Sequence, residues 1–159
     1  MMLSRLMVKG MRILAGGLMV LLLLGTLTAA QAQSQAEKNK KIAVAFLTMI
    51  FNDHKVEEAF KLYAVPEYKQ HNPFAASGAQ AAINFLGPYL KANPEARTDI
   101  KRVIAEGDLV AIHNNPKQNA KDRGRAVVDI FRLENGKVVE HWDVVQDVPE
   151  KSANNNTMF

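Results

Sequence analysis

Apolar residues recur every three or four positions from about Ala36 to Phe51. The stripe Ile42, Phe46, Met49 and Ile50 predicts an amphipathic helix. Asn52-Asp53 breaks the pattern, and Asp53 is placed to cap a second, short helix. Its first turn holds Glu57 and Glu58, favourable positions for acids, and its apolar face is Val56, Ala59, Phe60 and Tyr63. Glu67 to His71 reads as a short extended stretch closed by Asn72-Pro73. Ser77 then starts a third helix, with Gln80 three positions on as its capping-box partner. Ala82, Ile83, Leu86 and Leu90 form the buried stripe of that helix, Gly87-Pro88 is a point of possible interruption, and Asn93-Pro94 ends it.

Beyond Asn93 the period changes from helical to alternating. Thr98 to Glu106 and Leu109 to Asn114 predict two strands around the turn Gly107-Asp108, and a polar loop, Asn115 to Gly124, follows. Ala126 to Gln146 then reads as two strands joined by Asn135-Gly136, a pair suited to a type I′ turn because both central residues take positive φ. A regular hairpin on that turn sets Glu134 opposite Lys137, Leu133 opposite Val138 and Asp129 opposite Trp142. Val127, Asp129, Phe131, Glu140, Trp142 and Val144 then share one face, and Val128, Ile130, Val139 and His141 the other. This assignment requires that no bulge intervene. An acid on a mostly apolar face is costly to desolvate without a partner or a purpose, so Asp129 marks where a site is expected.

Helices followed by a run of antiparallel strands predict an α+β fold, with three N-terminal helices packed on a curved antiparallel sheet. Such a fold forms a cone with an apolar pocket at its open end. The domain is expected over residues 33–159, without repeats. Residues 1–32 read as a cleavable signal peptide: Arg5, Lys9 and Arg12 precede the apolar run Ile13 to Leu27, and Ala30-Gln31-Ala32 fits the cleavage pattern. The run is shorter than the roughly 20 residues of a spanning helix. The mature protein is therefore expected in a bacterial periplasm or the medium, off the membrane.

Composition narrows the chemistry. Of 20 basic residues three lie in the leader, which leaves 17 against 16 acids. With a net charge near +1 and no basic stripe interleaved with aromatics, nucleic acid is not an expected partner. The chain has no cysteine, which removes thiol nucleophiles and thiolate metal sites. No two histidines have ligand spacing, so no metal is expected either. Ser34, Ser77 and Ser152 lie outside any Gly-x-Ser-x-Gly setting, so acyl-transfer chemistry has little support.

Three runs carry a family resemblance: Tyr68-Lys-Gln-His-Asn-Pro73, Ile100-Lys-Arg-Val-Ile-Ala-Glu-Gly-Asp108 and Val128-Asp-Ile-Phe-Arg-Leu-Glu-Asn-Gly-Lys-Val-Val-Glu-His-Trp142. In this order, after three helices, they resemble the SnoaL-like polyketide cyclase family of the nuclear transport factor 2-like superfamily. The closing Asn154-Asn-Asn-Thr-Met-Phe159 resembles the tail of its predicted aldol-condensation subgroup. The resemblance implies a strand aspartate as acid/base, assisted by a histidine on a neighbouring strand, without metal or cofactor. The matching residues are Asp129 and His113, although Ala111-Ile-His-Asn-Asn-Pro116 departs from the Gly/Thr-rich cyclase pattern. The superfamily also holds many members with no catalytic function, so fold does not fix activity.

Aldol cyclisation needs a base to take a proton beside a carbonyl and a donor to stabilise the enolate. A carboxylate made more basic by an apolar wall suits the first task, and Val127, Phe131 and Trp142 are the expected wall. A histidine or a tyrosine hydroxyl suits the second, with Tyr68 among the ligand-binding candidates. The alternative for Asp129 is a structural acid held by backbone amides or by Arg102. His71 either lines the pocket mouth or bonds the backbone at its turn. Trp142 serves equally as core packing or as a stacking wall, and His141 with Asp143 reads as a surface or interface ion pair. The expected ligand is a small apolar or aromatic carbonyl compound, and a homodimer through the outer sheet face is expected. The competing reading is a non-catalytic ligand-binding or dimerisation module of the same fold.

Overall fold

The first helix buries Ala43, Phe46, Leu47 and Ile50, an i, i+3, i+4, i+7 stripe, while Ile42 and Met49 lie at its flanks. In the computed structural model, which describes residue 31 and residues 33–159, this helix, α1, covers residues 33–51. Apart from residue 31, the expected signal peptide lies outside the described residues. Residues 36–159 form one unit. Helix α2, Val56–Tyr63, buries Val56, Ala59 and Phe60. Phe46 meets Phe60 and Phe131 edge-on at ring distances of 5.0 and 5.8 Å, and Phe60 meets Tyr68 in the same way at 5.4 Å. Edge-to-face packing of this kind adds about 0.5–1.5 kcal/mol per pair beyond burial.

The helix starts differ from expectation. Lys55, not Asp53, occupies the N-cap of α2, and no side chain caps it. Helix α3, Ala79–Ala92, starts from Gly78 at φ 101°, also without a side-chain cap. The Ser77 hydroxyl instead accepts from the Gln70 backbone N–H at 3.1 Å, tying the preceding loop to the strand that ends there. Helix α3 continues through Gly87-Pro88 and ends at Ala92.

Five strands follow or interleave: β1 Ala64–Gln70, β2 Arg97–Glu106, β3 Leu109–Lys117, β4 Arg125–Glu134 and β5 Lys137–Asp147. They form an open sheet in the order β1-β5-β4-β3-β2. Strands β2 to β5 pair antiparallel, but β1 runs parallel to β5, so the sheet is mixed rather than wholly antiparallel.

The hairpin forms on Asn135-Gly136, with φ of 50° and 76° as the type I′ turn requires. Glu134 pairs with Lys137 and Leu133 with Val138, as the turn dictates. The register then slips, because Arg132 pairs with Glu140 and leaves Val139 as the extra residue of a β-bulge. From there every β5 residue is displaced by one. Asp129 faces Asp143 rather than Trp142, and Trp142 faces Ile130. A one-residue slip exchanges the two faces of a strand. Glu140 turns outward to the Arg132 guanidinium, 2.8 Å away, instead of entering the apolar face.

Candidate active site

Alternation along β4 points Val127, Asp129 and Phe131 toward the helices, and the bulge turns His141 and Asp143 of β5 the same way. Tyr68 and Gln70 reach the same space from β1, and Asn114 from β3. All of these line a cavity of about 390 Å³, closed on the helical side by residues such as Phe46, Phe60, Leu86 and Tyr89. Asp129 and His141 are buried on its wall.

The polar groups form one connected network. His141 Nε2 lies 2.9 Å from Asp129 Oδ1, and His141 Nδ1 lies 2.9 Å from Gln70 Oε1. Asn114 Nδ2 donates to Asp129 Oδ2 at 2.6 Å, while the Thr98 hydroxyl donates to Asn114 Oδ1 at 2.7 Å. Asn72 Nδ2 donates to both oxygens of Asp143, at 2.9 and 2.7 Å. Gln70 Nε2 donates to the Tyr68 hydroxyl at 3.4 Å. Burial, followed by the charges of Asp129 and Asp143, pushes the Tyr68 pKa upward and keeps the phenol protonated. Among the described residues, Asp129, His141 and Asp143 are the group able to converge on a metal ion, with ligand atoms within 4.8 Å of one another.

The family model of the SnoaL-like domain matches residues 43–141, more than half of the chain. The chain belongs to the SnoaL-like family. The match covers Asp129 and the whole of β4, and it ends within β5 at His141. Among solved structures, TsrD from Streptomyces laurentii is 17% identical over 69% of this chain and 88% of its own, with a TM-score of 0.57. AclR from Streptomyces galilaeus, described as a candidate hydroxylase, is 21% identical over 70% and 90%, with a TM-score of 0.58. A candidate polyketide cyclase from Bacillus cereus is 19% identical over 71% and 77%, with a TM-score of 0.60. At these identities the likeness establishes the fold. No curated protein matches the chain.

The SnoaL-like fold distributes the sequence candidates between two faces. Asp129, Phe131 and Tyr68 lie on the cavity, together with Val127. His113 does not join them: it sits on the outer face of β3, opposite Val128, with Arg102 at 2.9 Å and the Phe159 ring stacked at 5.5 Å. Desolvation, then the charges of Arg102 and Lys101, hold its pKa below the ordinary imidazole value. Arg102 thus meets His113 and not Asp129.

Trp142 and His71 also lie off the cavity. Their rings stack at 4.6 Å and 8°, and His71 Nε2 contacts Glu140 at 2.7 Å. Glu140, expected on the same face as Asp129, is the hub of that outer cluster. His71, then Arg132 and Lys69, lower its pKa to about 2. The residues flanking His71, Gln70 and Asn72, are the ones that reach the cavity.

His141 is therefore the histidine beside the acid, and sequence reasoning had turned it to the other face. Gln70, Asn114 and Asp143 were not singled out for the cavity. One signal for His141 was present: with regular pairing Glu140 falls on an apolar face, whereas a one-residue bulge gives it Arg132 as a cross-strand partner.

Proposed function

We propose that this SnoaL-like protein binds a small apolar or aromatic carbonyl compound and moves protons on it with its own side chains. The observation that carries this reading is a buried acid, Asp129, contacting His141 at 2.9 Å on the wall of a largely apolar cavity. Asp129 acts as the base that removes a proton beside the carbonyl, with His141 as its partner. The Tyr68 hydroxyl accepts from Gln70, and among the described residues its own proton has no acceptor, so it is free to donate to a ligand oxygen that gains negative charge. Volume and lining suit a ligand of one or two rings. The finer assignment within the family is the aldol-condensing subgroup, supported by the run Asn154 to Phe159. The leader pattern of residues 1–32 supports export to a periplasm or the medium.

A thermal-shift screen of the protein without its leader, against aromatic and alicyclic ketones and diketones, tests the binding half of the proposal. A ligand that binds the folded state raises the melting temperature by mass action, by about 2.7 kcal/mol of stability at 100 times its Kd. Phe131→Ala and Leu86→Arg should abolish the shift. A shift that survives both substitutions would place the ligand elsewhere.

A binding or assembly role without turnover is the second reading. It is favoured by the outer sheet face, where Val128, Ile130 and Trp142 are half-buried and Val144 is 66% exposed, a surface suited to a homodimer. Ligand binding with no proton exchange on any bound ketone would favour it.

A further inference from the structure

We infer that Gln70 fixes the tautomer of His141, so that Asp129 and His141 together hold one proton and work as an acid and a base in the same cycle. The inference rests on the acid/base reading of this cavity and specifies it. It follows from the direction of each hydrogen bond. Gln70 Oε1 lies 3.0 Å from the backbone nitrogens of both His71 and Asn72. A backbone N–H only donates, so the side-chain atom at that position is the amide oxygen. That oxygen also faces His141 Nδ1 at 2.9 Å, and Nδ1 must therefore carry a hydrogen.

The acid is constrained in the same way. Asn114 Nδ2 faces the carbonyl oxygens of Ile112 and Val127 at 3.2 and 3.4 Å, and carbonyl oxygens only accept. The group it presents to Asp129 Oδ2 is consequently a donor, which leaves Oδ1 to meet His141 Nε2. With Nδ1 protonated, a neutral ring offers a lone pair at Nε2, and an ionised Asp129 offers another at Oδ1. Two lone pairs 2.9 Å apart repel, and two protons do not fit between them. One proton does, on either atom. The other titratable groups on the cavity wall are Asp143 on β5, Tyr68 on β1, Tyr89 on α3, Arg97 on β2, Lys117 on β3 and Arg125 on β4, and the helices otherwise contribute apolar side chains such as Phe46 and Phe60.

A pair holding one proton suits a step in which one proton is taken and one is given. In an aldol closure the C–H bond beside one carbonyl breaks and its proton goes to the Asp129 carboxylate. The electron pair forms the new C–C bond to the second carbonyl carbon. The π pair of that carbonyl takes the proton from His141 Nε2, and the N–H electrons return to the ring. The products are a hydroxyl group, a protonated Asp129 and a neutral His141 still protonated at Nδ1. Transfer of the Asp129 proton across the 2.9 Å contact to Nε2 restores the starting pair. Gln70 is a positioning residue in this cycle, and its amide touches the imidazole rather than the reacting atoms.

Ring-nitrogen NMR of the ¹⁵N-labelled protein tests this directly. His141 is assigned by single replacement of His54, His71 and His113 with glutamine. The expected result is a protonated Nδ1 throughout the folded pH range, with only Nε2 changing its protonation. A His141 ring with bare Nδ1 and protonated Nε2 overturns the inference. At a pH where the ring carries a single proton, Gln70→Leu should shift the Nδ1 resonance toward the unprotonated position as the two tautomers mix, and an unchanged Nδ1 there in folded Q70L overturns the role of Gln70. Should Q70L fail to fold, Gln70→Glu keeps an acceptor for Nδ1–H, so the Nδ1 proton must persist, and its loss counts against the inference. These readouts need no ligand. Failure of the ketone screen therefore removes the proposed function and leaves the tautomer assignment standing on its own result.

Discussion

Replacing Asp129 with alanine and with asparagine separates two contributions that the side chain makes. In Asp129→Ala the Nε2 of buried His141 loses its 2.9 Å partner, and Asn114 loses its 2.6 Å acceptor while keeping two carbonyl contacts. Leaving one buried imidazole nitrogen unpaired and removing one charge-assisted bond costs about 2–4 kcal/mol. For a domain of this size that is a fall in melting temperature of roughly 6–16 °C, at about 3–4 °C per kcal/mol. With the hydrogen-bond directions assigned above, Asp129→Asn behaves differently. Its amide oxygen accepts from Asn114 and its amide nitrogen donates to the bare Nε2 of a neutral His141, so every contact is remade. The expected loss is about 1 kcal/mol or less, while the capacity to take a proton disappears. Urea and thermal unfolding of the three proteins at neutral pH measure both differences. Equal destabilisation by Asn and Ala would refute the reasoning, because it would mean that Nε2 already carries a hydrogen in the neutral ring and clashes with the new amide.

Three further outcomes follow from other parts of the fold. The folded pKa of Glu140, about 2, lies below its ordinary 4.5, so ionised Glu140 adds stability above pH 4.5 that is lost as the pH falls through 2; the melting-temperature gap between wild type and Glu140→Gln should close across that window. A Cβ at Gly124, where φ is 70°, would collide with the Pro116 carbonyl oxygen and the Asn115 amide, whereas one at Gly107, with φ 59°, meets nothing within 4 Å. Gly107→Ala should therefore cost about 1–2 kcal/mol for the left-handed backbone alone, and Gly124→Ala clearly more by the same unfolding assay. His113 should titrate below 6.5 in an NMR pH series, with an upward move in Arg102→Ala, and no change when a ligand fills the cavity.

The elements that local chemistry specifies were legible in the sequence. Asn135-Gly136 fixed the turn and the first two pairs of the hairpin, and helical spacing put Phe46, Ile50, Phe60 and Leu90 in the core, although it passed over Leu47 and counted Ile42 and Met49, which only flank it. The acid on the cavity was legible as well, because Asp129 lies six residues before Asn135 on the strand without the bulge. What failed was extrapolation along β5. A bulge at Val139 depends on where Glu140 finds a charge, and that partner set includes His71 and Lys69, about seventy residues away in sequence. The same distance hid Gln70: it reaches His141 only because β1 adds to β5 in parallel, and no local pattern announces that pairing. His113 was placed by family resemblance, but strand parity alone separates it from Asn114, whose side chain does reach Asp129.

The claim that matters most is proton transfer at the Asp129–His141 wall. It is tested most directly by following hydrogen–deuterium exchange beside the carbonyl of a ketone that raises the melting temperature, by NMR in D₂O with catalytic amounts of protein. The account predicts exchange well above the buffer rate in wild type, near the buffer rate in folded Asp129→Asn, and strongly reduced in Tyr68→Phe. Exchange in Asp129→Asn equal to wild type, with the ligand still bound, would contradict it.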